Sequence, residues 1–308
     1  MKFLLISDMH GTFKTSSNRK DNVKKTFLRK SEFIFDYARK HGLIVLQAGD
    51  FCNQPRDWNL LYYLIEIIKG LKVYSVYGQH DIYLRSNSSA TTLGVLEKTG
   101  YVDILGSKPI RLDGVHLYGS GWKEEVPVPK RKNSVTNILI IHSPITNREL
   151  HHSIQRTEAE KFLKDHPYYD LILTGDIHMD FEIWSGERVI LNTGPVLRLE
   201  ASVYNLKYKP SFYIYDSSDP GLRRVKIPCE RGIKVLDRSR IETKREEGSV
   251  LERFVKSLKR APKIRKKIKD SLMEYMKDNN VPNSIQKEIM TVAEEVAHGS
   301  RNIKAQDR

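Results

Sequence analysis

Short apolar runs separated by turn residues recur along the first two thirds of the chain. Each run is four or five residues long and rich in β-branched side chains, a pattern typical of strands that are buried on both faces. Helical periodicity over residues 21–40 and 57–69 separates the first three runs, and this strand–helix–strand alternation predicts a parallel sheet covered by helices. The six clearest runs lie at residues 3–7, 43–47, 73–77, 115–118, 138–141 and 171–174.

Beyond about residue 101 the predicted strands follow one another closely. Turn residues at Asp113-Gly114 and Ser185-Gly186 are typical of hairpins, and they predict a second sheet. The predicted fold class is therefore α/β, with a β-sandwich flanked by helices.

The chain changes character after Pro228. Beyond it, helical periodicity extends over residues 246–259, 261–278 and 282–298, and Pro262 and Pro282 are placed as first-turn residues. We therefore expect one domain over residues 1–228, a linker over 229–248 and a basic helical appendage over 249–308.

Composition and charge limit the classes of protein that fit this pattern. With 39% hydrophobic and 29% charged residues in a chain of 308, a mostly disordered protein is excluded. Two cysteines and no apolar run near the length of a membrane span lead us to expect a cytoplasmic protein without membrane contact. The net charge is +14, and residues 221–308 supply +10 of it (23 basic minus 13 acidic side chains), which favours a polyanionic partner.

Polar side chains follow nearly every predicted strand at the point where the chain turns. Ligand sites in parallel sheets lie outside the carboxyl ends of the strands, so we expect these separate segments to converge. Carboxylates, imidazoles and an amide oxygen together suit Mn²⁺ or a similar ion, and there are enough of them for two ions. Two bridged ions can activate water and hold both oxygens of an in-line phosphoryl displacement. The residues are Asp8 and His10, Asp50, Gln79 with His80 and Asp81, His142, and Asp176 with His178.

The order of these motifs resembles the calcineurin-like metallophosphoesterase superfamily, whose pattern is D-x-H, G-D, G-N-H-D/E, H and G-H-x-H. Within it, the chain is most similar to the SbcD-type nuclease subunit of DNA-repair nuclease–ATPase complexes, including virus-encoded relatives. The motifs run from Asp8 to His178, and residues 191–198 are similar to the family's Gly-Ser-x-x-Arg segment. The resemblance implies a metallophosphoesterase-type β-sandwich with two divalent ions, Mn²⁺ first and Mg²⁺ as the alternative.

The resemblance also implies a role for each motif residue. Asp50 would bridge the two ions, and a hydroxide held by the metals would be the nucleophile. His80 would face the scissile phosphate and help to protonate the leaving oxygen, while Asp81 would orient its imidazole. The implied ligands are Asp8, His10, Asp50 and His178 for the first ion, and Asp50, Gln79, His142 and Asp176 for the second.

Three positions depart from the family pattern. Gln79 stands in place of Asn, and Asp176 in place of the first His of G-H-x-H. Both changes make the second site richer in oxygen and favour Mn²⁺ or Mg²⁺ over Zn²⁺. Asn53 stands where cellular SbcD-type enzymes often have a histidine that positions substrate for exonuclease work, so the balance between exonuclease and endonuclease activity stays open.

Clustered basic residues favour DNA as the substrate, because Lys and Arg that neutralise phosphates supply most of non-specific DNA affinity. The resemblance implies a role in recombination or repair with an SbcC-like, SMC-type ATPase that docks onto the helical appendage, and it allows a homodimer. The candidate DNA-binding residues are Lys14, Arg19, Lys20, Lys24, Lys25 and Arg198.

Two other functions stay open at this point. One is a stand-alone metallophosphodiesterase or phosphatase acting on nucleotides or phosphoproteins. The other is a DNA-binding scaffold whose second metal site has decayed through Gln79 and Asp176.

Overall fold

The computed structural model describes residues 1–83, 90–129, 135–148, 156–239 and 268–302. The chain divides into two compact units, Met1–Arg238 and Ser239–Arg308. The strands are β1 (Lys2–Ile6), β2 (Ile44–Gln47), β3 (Val73–Ser75), β4 (Asp103–Ile104), β5 (Ile110–Leu112), β6 (Val115–Ser120), β7 (Thr136–His142), β8 (Ile145–Thr146), β9 (Thr157–Glu158), β10 (Leu171–Gly175), β11 (Phe181–Ser185), β12 (Arg188–Asn192), β13 (Ser211–Asp216) and β14 (Asp219–Lys226). The helices are α1 (Val23–Lys40), α2 (Trp58–Ile68), α3 (Thr92–Lys98), α4 (Ala159–Asp165), α5 (Val203–Lys207), α6 (Gly232–Val235), α7 (Ile268–Asp278) and α8 (Asn283–Asn302).

Two six-stranded sheets make up most of the first unit, and β8 and β9 form a separate two-stranded sheet. The first sheet has the order β14-β13-β1-β2-β3-β4, in which β1 to β4 run parallel and β13 is antiparallel to β1. The second has the order β11-β12-β10-β7-β6-β5, with β12, β10, β7 and β6 parallel. The hairpins expected for this sheet are therefore confined to its two edges, β5–β6 and β11–β12.

The sheets pack face to face, and helices cover their outer faces. Successive side chains on a strand point to opposite faces, so Phe3 and Leu5 of β1 belong to the apolar core between the sheets. Leu4 and Ile6 of the same strand belong to a second core that includes residues of α1, α2 and α3. A third core joins the outer face of the second sheet to α4. The α/β sandwich flanked by helices is confirmed.

The helices that cover the first sheet begin at residues whose side chains satisfy free backbone N–H groups. Asn22 accepts from the N–H of Lys25 before α1, and Asp57 accepts from the N–H of Leu60 before α2. The buried stripe of α1 includes Phe27, Ile34, Phe35 and Ala38, which is the apolar periodicity of a helix that packs on a sheet.

The first unit continues past Pro228 to Arg238. The backbone N–H of Lys20 donates to Val235 O, and that of Asp237 donates to Asn18 O. These bonds attach part of the segment expected as a linker to the loop before α1.

The second unit contains α7 and α8 in its described part. The N–H of Val281 donates to Met276 O where α7 ends, and Asn280 adopts a φ of 49° there, which is a common way to end a helix. The expected helix over 246–259, and residues 261–267 of the next, lie outside the described residues. Among the residues that are described, no helix combines the length and apolar character that crossing a membrane requires.

Candidate metal centre

The motif residues lie at the carboxyl ends of the parallel strands in both sheets. His142 is the last residue of β7, and the other motif residues follow β1, β2, β3 and β10 within a few positions. The backbone N–H of Asp176 donates to Asp8 Oδ1 at 3.0 Å. This bond connects the strand ends of the two sheets, so the five segments meet at one edge of the sandwich.

Four of the motif residues have left-handed backbone conformations. Their φ values are 45° for Asp8, 46° for His10, 51° for Asp50 and 87° for Asp176. Such conformations are costly for residues other than glycine, and they concentrate at functional sites because the surrounding structure must hold them there. The strain indicates that the loops are held in conformations that direct these side chains toward one another.

The four residues expected around the first ion form a compact group. Potential ligand atoms of Asp8, His10, Asp50 and His178 all lie within 4.8 Å of one another. The Nε2 atoms of His10 and His178 are 2.8 Å apart, and His10 Nε2 is 3.6 Å from Asp50 Oδ2. The side chains of Asp8, His10 and Asp50 are buried.

The residues expected around the second ion also lie together, and the two departures from the family pattern contact each other. Gln79 Nε2 donates to Asp176 Oδ1 at 2.7 Å. Gln79 Oε1 lies 3.0 Å from His142 Nε2, which is 3.5 Å from Asp50 Oδ2. The longer amide side chain thus keeps its oxygen at the histidine while its nitrogen binds the new carboxylate.

Unpaired oxygens indicate that these residues fit divalent cations. Asp8 Oδ2 and Asp50 Oδ2 are buried and have no hydrogen-bond partner. Buried carboxylate oxygens are almost always paired, and leaving one unpaired is costly. Asp50 Oδ2 lies close to histidines of both groups, which is where a bridging ligand is expected.

Burial and neighbouring charges shift the pKa values of these residues. Burial raises the pKa of Asp8 well above its usual range, and the carboxylates of Asp50 and Asp176 raise it further against the opposing effect of His142. Burial and the neighbouring His178 lower the pKa of His10 well below its usual range. His10 is therefore a neutral imidazole, the form that binds metals.

His142 and Asp50 behave as an ion pair. Burial disfavours the imidazolium form, but the nearby carboxylate of Asp50 raises the pKa of His142 to about 10. Conversely, His142 holds the pKa of Asp50 well below its usual range although burial acts in the other direction. His142 Nδ1 lies 2.7 Å from Ala48 O. A carbonyl can only accept, so Nδ1 carries a proton. Nε2 faces Asp50 and would have to release its proton to bind a metal ion.

His80 lies beside the ligand groups and is open to solvent. Its side chain is 43% exposed, and Nε2 is 4.0 Å from Asp50 Oδ2. Its backbone N–H donates to Asp50 Oδ1 at 2.9 Å. Its Nδ1 lies 3.1 Å from the carbonyl oxygen of Asn53, so Nδ1 carries a proton and Nε2 faces the site.

Asp81 does not orient the imidazole of His80 in the expected way. Its carboxylate accepts hydrogen bonds from the backbone N–H groups of Phe51, Cys52 and Gly78. The carbonyl of Asn53 takes the orienting position instead. Asp81 therefore connects the loop after β2 to the loop after β3.

The expected DNA-binding residues divide into an exposed and a buried group. Arg19 donates to both carboxylate oxygens of Asp21 and to Arg198 O. Arg198 donates to Tyr208 O and Glu230 O. Both arginines are buried, which corrects the expectation that they contact DNA, because their guanidinium groups connect loops within the first unit. The exposed group is Lys14, Lys20, Lys24 and Lys25.

Residues 191–198 bring further residues to the site. Ser7 donates its backbone N–H to Thr193 Oγ1 at 2.9 Å, and its hydroxyl bonds Asn192 Oδ1 at 3.1 Å. Asn192 Nδ2 donates to Ile177 O, beside His178. Only the resemblance pointed to this segment, because a buried Ser–Asn–Thr network has no distinctive spacing in the sequence.

Comparisons with known proteins agree with this arrangement. Residues 1–180 match the family described as calcineurin-like phosphoesterase, and this match covers more than half of the chain. No curated protein sequence matches the chain.

Several solved structures are similar in fold. An archaeal phosphodiesterase is 14% identical, with 74% of this chain and 100% of that chain covered and a TM-score of 0.42. A Staphylococcus aureus protein assigned as a 5′-nucleotidase is 11% identical, with 74% and 54% covered and a TM-score of 0.49. A single mutant of Vps29 from Entamoeba histolytica is 15% identical, with 74% and 100% covered and a TM-score of 0.36. At these identities the likeness concerns the fold alone.

Proposed function

The chain belongs to the calcineurin-like phosphoesterase family, and from this premise we propose that it is a Mn²⁺-dependent DNA nuclease of the SbcD type. The position of Asp50 Oδ2 carries the proposal. This oxygen is buried without a hydrogen-bond partner, and it lies within 4.0 Å of the Nε2 atoms of His10, His80 and His142. One carboxylate oxygen thus faces both ligand groups and the exposed imidazole.

The two ligand groups would each hold one divalent ion, with Asp50 shared between them. When bound, such ions supply Lewis acidity for a phosphoryl oxygen and lower the pKa of a bound water. The second group combines two carboxylates and an amide oxygen with one imidazole, and such a donor set favours Mn²⁺ or Mg²⁺ over Zn²⁺.

The residues of the chain itself handle the leaving group. Asn53 fixes the orientation of His80 through Nδ1, which leaves Nε2 directed toward the site. When Nε2 is protonated, it can donate its proton to the leaving oxygen of a phosphodiester, which is a general-acid role. The exposed side chain of His80 allows a substrate to reach this nitrogen.

An exposed basic surface close to the metal centre favours DNA over small substrates. Lys14 Nζ donates to Gln54 Oε1 at 2.9 Å, and Gln54 follows Asn53 in the chain. Lys24 Nζ lies 4.9 Å from the centroid of the Phe13 ring. Cations beside the site can neutralise backbone phosphates on either side of the bond that is cleaved.

The described part of the second unit supports a protein partner. Met273, Tyr275 and Val292 are exposed large apolar side chains on its helices, and we propose that a partner protein covers them. We take an SbcC-like, SMC-type ATPase as the partner in recombination or repair, with a homodimer as an additional assembly. Co-elution of the purified chain with such an ATPase in size-exclusion chromatography would support this, and loss of co-elution in Met273→Asp would locate the contact.

Cleavage of end-labelled single- and double-stranded DNA tests the nuclease. Mn²⁺ should support cleavage and EDTA should stop it, and His80→Ala should lower the rate by about 10²- to 10⁴-fold while bound Mn²⁺ is retained. His41→Ala is a matched control, because His41 precedes β2 at the amino ends of the parallel strands, far from the candidate metal centre at their carboxyl ends. Hydrolysis of nucleotides or phosphopeptides without cleavage of DNA, with the ATPase absent or present, would refute the proposal in favour of a stand-alone phosphodiesterase or phosphatase.

A further inference from the structure

A tight turn follows β6 at the same edge of the sandwich as the metal centre. The N–H of Gly121 donates to Glu124 Oε2 at 2.7 Å, and the N–H of Glu124 donates to Gly121 O at 3.0 Å. Ser120 Oγ adds a bond to Glu124 O. These bonds fix the two residues at the tip, Trp122 and Lys123.

This turn is attached directly to the loop that carries Gln79 and His80. The N–H of Trp122 donates to Tyr77 O at 2.8 Å. A Cβ on Gly121 would come 3.1 Å from the same oxygen, so glycine permits the close approach. Ser120 is level with Ile141 on the neighbouring strand, which places Gly121 beside His142 at the strand spacing of about 5 Å.

Lys123 adopts a backbone conformation that lysine rarely takes. Its φ is 64°, and among the described residues the other non-glycine positions with positive φ are Asn280 and four motif residues of the metal centre. Asparagine adopts this conformation more readily than lysine does. Strain of this kind is held where a side chain has to point in a particular direction. Here it leaves Lys123 exposed, with Nζ 4.4 Å from the centroid of the Trp122 ring.

We propose that Trp122 and Lys123 form a nucleotide subsite at the rim of the metal centre. The indole stacks on a base of a single-stranded nucleic acid segment, and the Lys123 ammonium pairs with a phosphate next to the scissile one. The subsite rests on the proposed nuclease function and assigns two positioning residues to it. Neither residue belongs to the motifs that the family pattern contains.

An aromatic ring and a cation side by side suit single-stranded nucleic acid better than a phosphopeptide. Every base offers a π-face for stacking, and phosphates recur beside each base, so both groups of the subsite are used by one nucleotide unit. Phosphopeptide recognition relies instead on bidentate arginine contacts with the phosphate. No arginine lies in the turn itself.

Substitutions can remove each group without disturbing the turn. Trp122→Ala removes the ring, and Trp122→Phe retains a smaller one. Lys123→Asn removes the charge with a residue that accepts the left-handed conformation. Two matched controls lie at the opposite end of the sandwich: Trp184→Ala on β11, opposite Val189, and Lys72→Asn, directly before β3.

The full-length protein should be assayed on a short oligothymidylate and on methyl p-nitrophenyl phosphate with Mn²⁺. Binding of a fluorescein-labelled oligothymidylate should be followed by anisotropy in parallel. For each variant, we compare kcat/KM for the oligonucleotide with kcat/KM for the minimal diester. In Trp122→Ala this ratio should fall by at least about tenfold. In Trp122→Phe most of the lost ratio should be recovered. For Lys123→Asn, the slope of log binding constant against log salt concentration should decrease by about one. The two control variants should match the wild-type chain.

Separate results overturn the subsite and the nuclease. If no phosphodiester is hydrolysed, the proposed nuclease fails, but loss of oligonucleotide binding in Trp122→Ala still supports the subsite. If both the kinetic ratio and the binding of Trp122→Ala stay within about twofold of the wild-type values, the subsite is wrong even when hydrolysis is strong. Equal competition by a phosphopeptide that lacks nucleotides would also overturn it.

Discussion

Gly78 lies directly against the carboxylate of Asp50. A Cβ on Gly78 would come 2.1 Å from Asp50 Oδ1 and 2.3 Å from its backbone nitrogen. The same Oδ1 accepts the N–H of His80. The loop after β3 can therefore reach the carboxylate of Asp50 only because position 78 has no side chain.

Gly78→Ala should disable the metal centre while leaving most of the fold intact. The methyl group must displace either Asp50 or the loop, and overpacking of this kind costs about 1–3 kcal/mol. We expect bound Mn²⁺, measured by plasma mass spectrometry, to fall by at least half, and phosphodiester hydrolysis to fall with it. Gly106→Ala is the control, because a Cβ there meets nothing within 4 Å. Full metal content in Gly78→Ala would contradict the steric argument.

Asp81→Asn should lower stability as well as activity. Both carboxylate oxygens of Asp81 accept backbone N–H groups, and an amide would place its own NH₂ against one of these donors. A buried donor left without an acceptor costs about 1–3 kcal/mol, so the free energy of unfolding in urea should fall by that amount. Asp113→Asn, in the exposed β5–β6 turn, is the matched control. A variant that loses activity with unchanged stability would restore Asp81 to a direct role at His80.

Metal removal should destabilise the first unit. Asp8 and Asp50 are fully buried, each with an oxygen that lacks a partner, so a bound cation stabilises the folded state. At a free Mn²⁺ concentration 100-fold above Kd, one site adds about 2.7 kcal/mol. Thermal unfolding followed by circular dichroism should show a higher Tm with Mn²⁺ than with EDTA, and Asp50→Asn should lose most of this difference. An identical Tm in Mn²⁺ and EDTA would show that the cluster does not bind the ion.

Because Lys30 is buried, we expect the free energy of unfolding to rise with pH above neutrality. Burial lowers the pKa of its ammonium to about 7, and Nζ donates to Val196 O. Between that pH and its ordinary pKa, the unfolded chain binds the proton and the folded chain releases it. Each pH unit in this window therefore adds up to about 1.4 kcal/mol to the free energy of unfolding, and below pH 7 the full cost of burying the charge remains.

Lys30→Met removes this titration. Its stability relative to the wild-type chain should be highest at pH 7 and should decline steadily up to pH 9 in urea unfolding experiments. Lys24→Met, at an exposed position of the same helix, should show no such trend. A constant difference between Lys30→Met and the wild-type chain across this range would mean that Lys30 keeps its proton when folded.

The central strands and the main helices could be predicted because their signals are local. The apolar run at residues 138–141 lies within β7, and the periodicity over 21–40 corresponds to α1 with its N-cap at Asn22. The pairing of β1 with β13 could not be predicted, because Phe3 and Tyr215 are partners only through contacts that no local pattern records. For the same reason, the turn at Asp113-Gly114 predicts a hairpin but does not reveal that β6 pairs in parallel with β7 on its other side.

The candidate site shows the same division. The convergence of the candidate ligand residues could be predicted because each lies at or just after the end of a strand and their order is distinctive. The hydrogen-bond partners of polar side chains within the loops could not be predicted. Asp81 is next to His80 in the sequence but bonds three backbone groups. Arg19 lies in a basic run, yet its guanidinium group donates hydrogen bonds to both carboxylate oxygens of Asp21. A sequence records the charge of such residues but not which loop packs over them.

Because β1 pairs with β2 on one side and with β13 on the other, the first sheet can be completed only late in synthesis. Phe3 is opposite Ile44 in β2 and opposite Tyr215 in β13, so one edge of β1 stays open until β13 has been made. Asp8 likewise lacks the N–H of Asp176 until β10 has emerged. Long-range pairing of this kind forms late. The group formed by Asp8, Asp50 and His178 is therefore complete only when the sandwich is complete, and binding of a cation there would mark the end of folding rather than its nucleation.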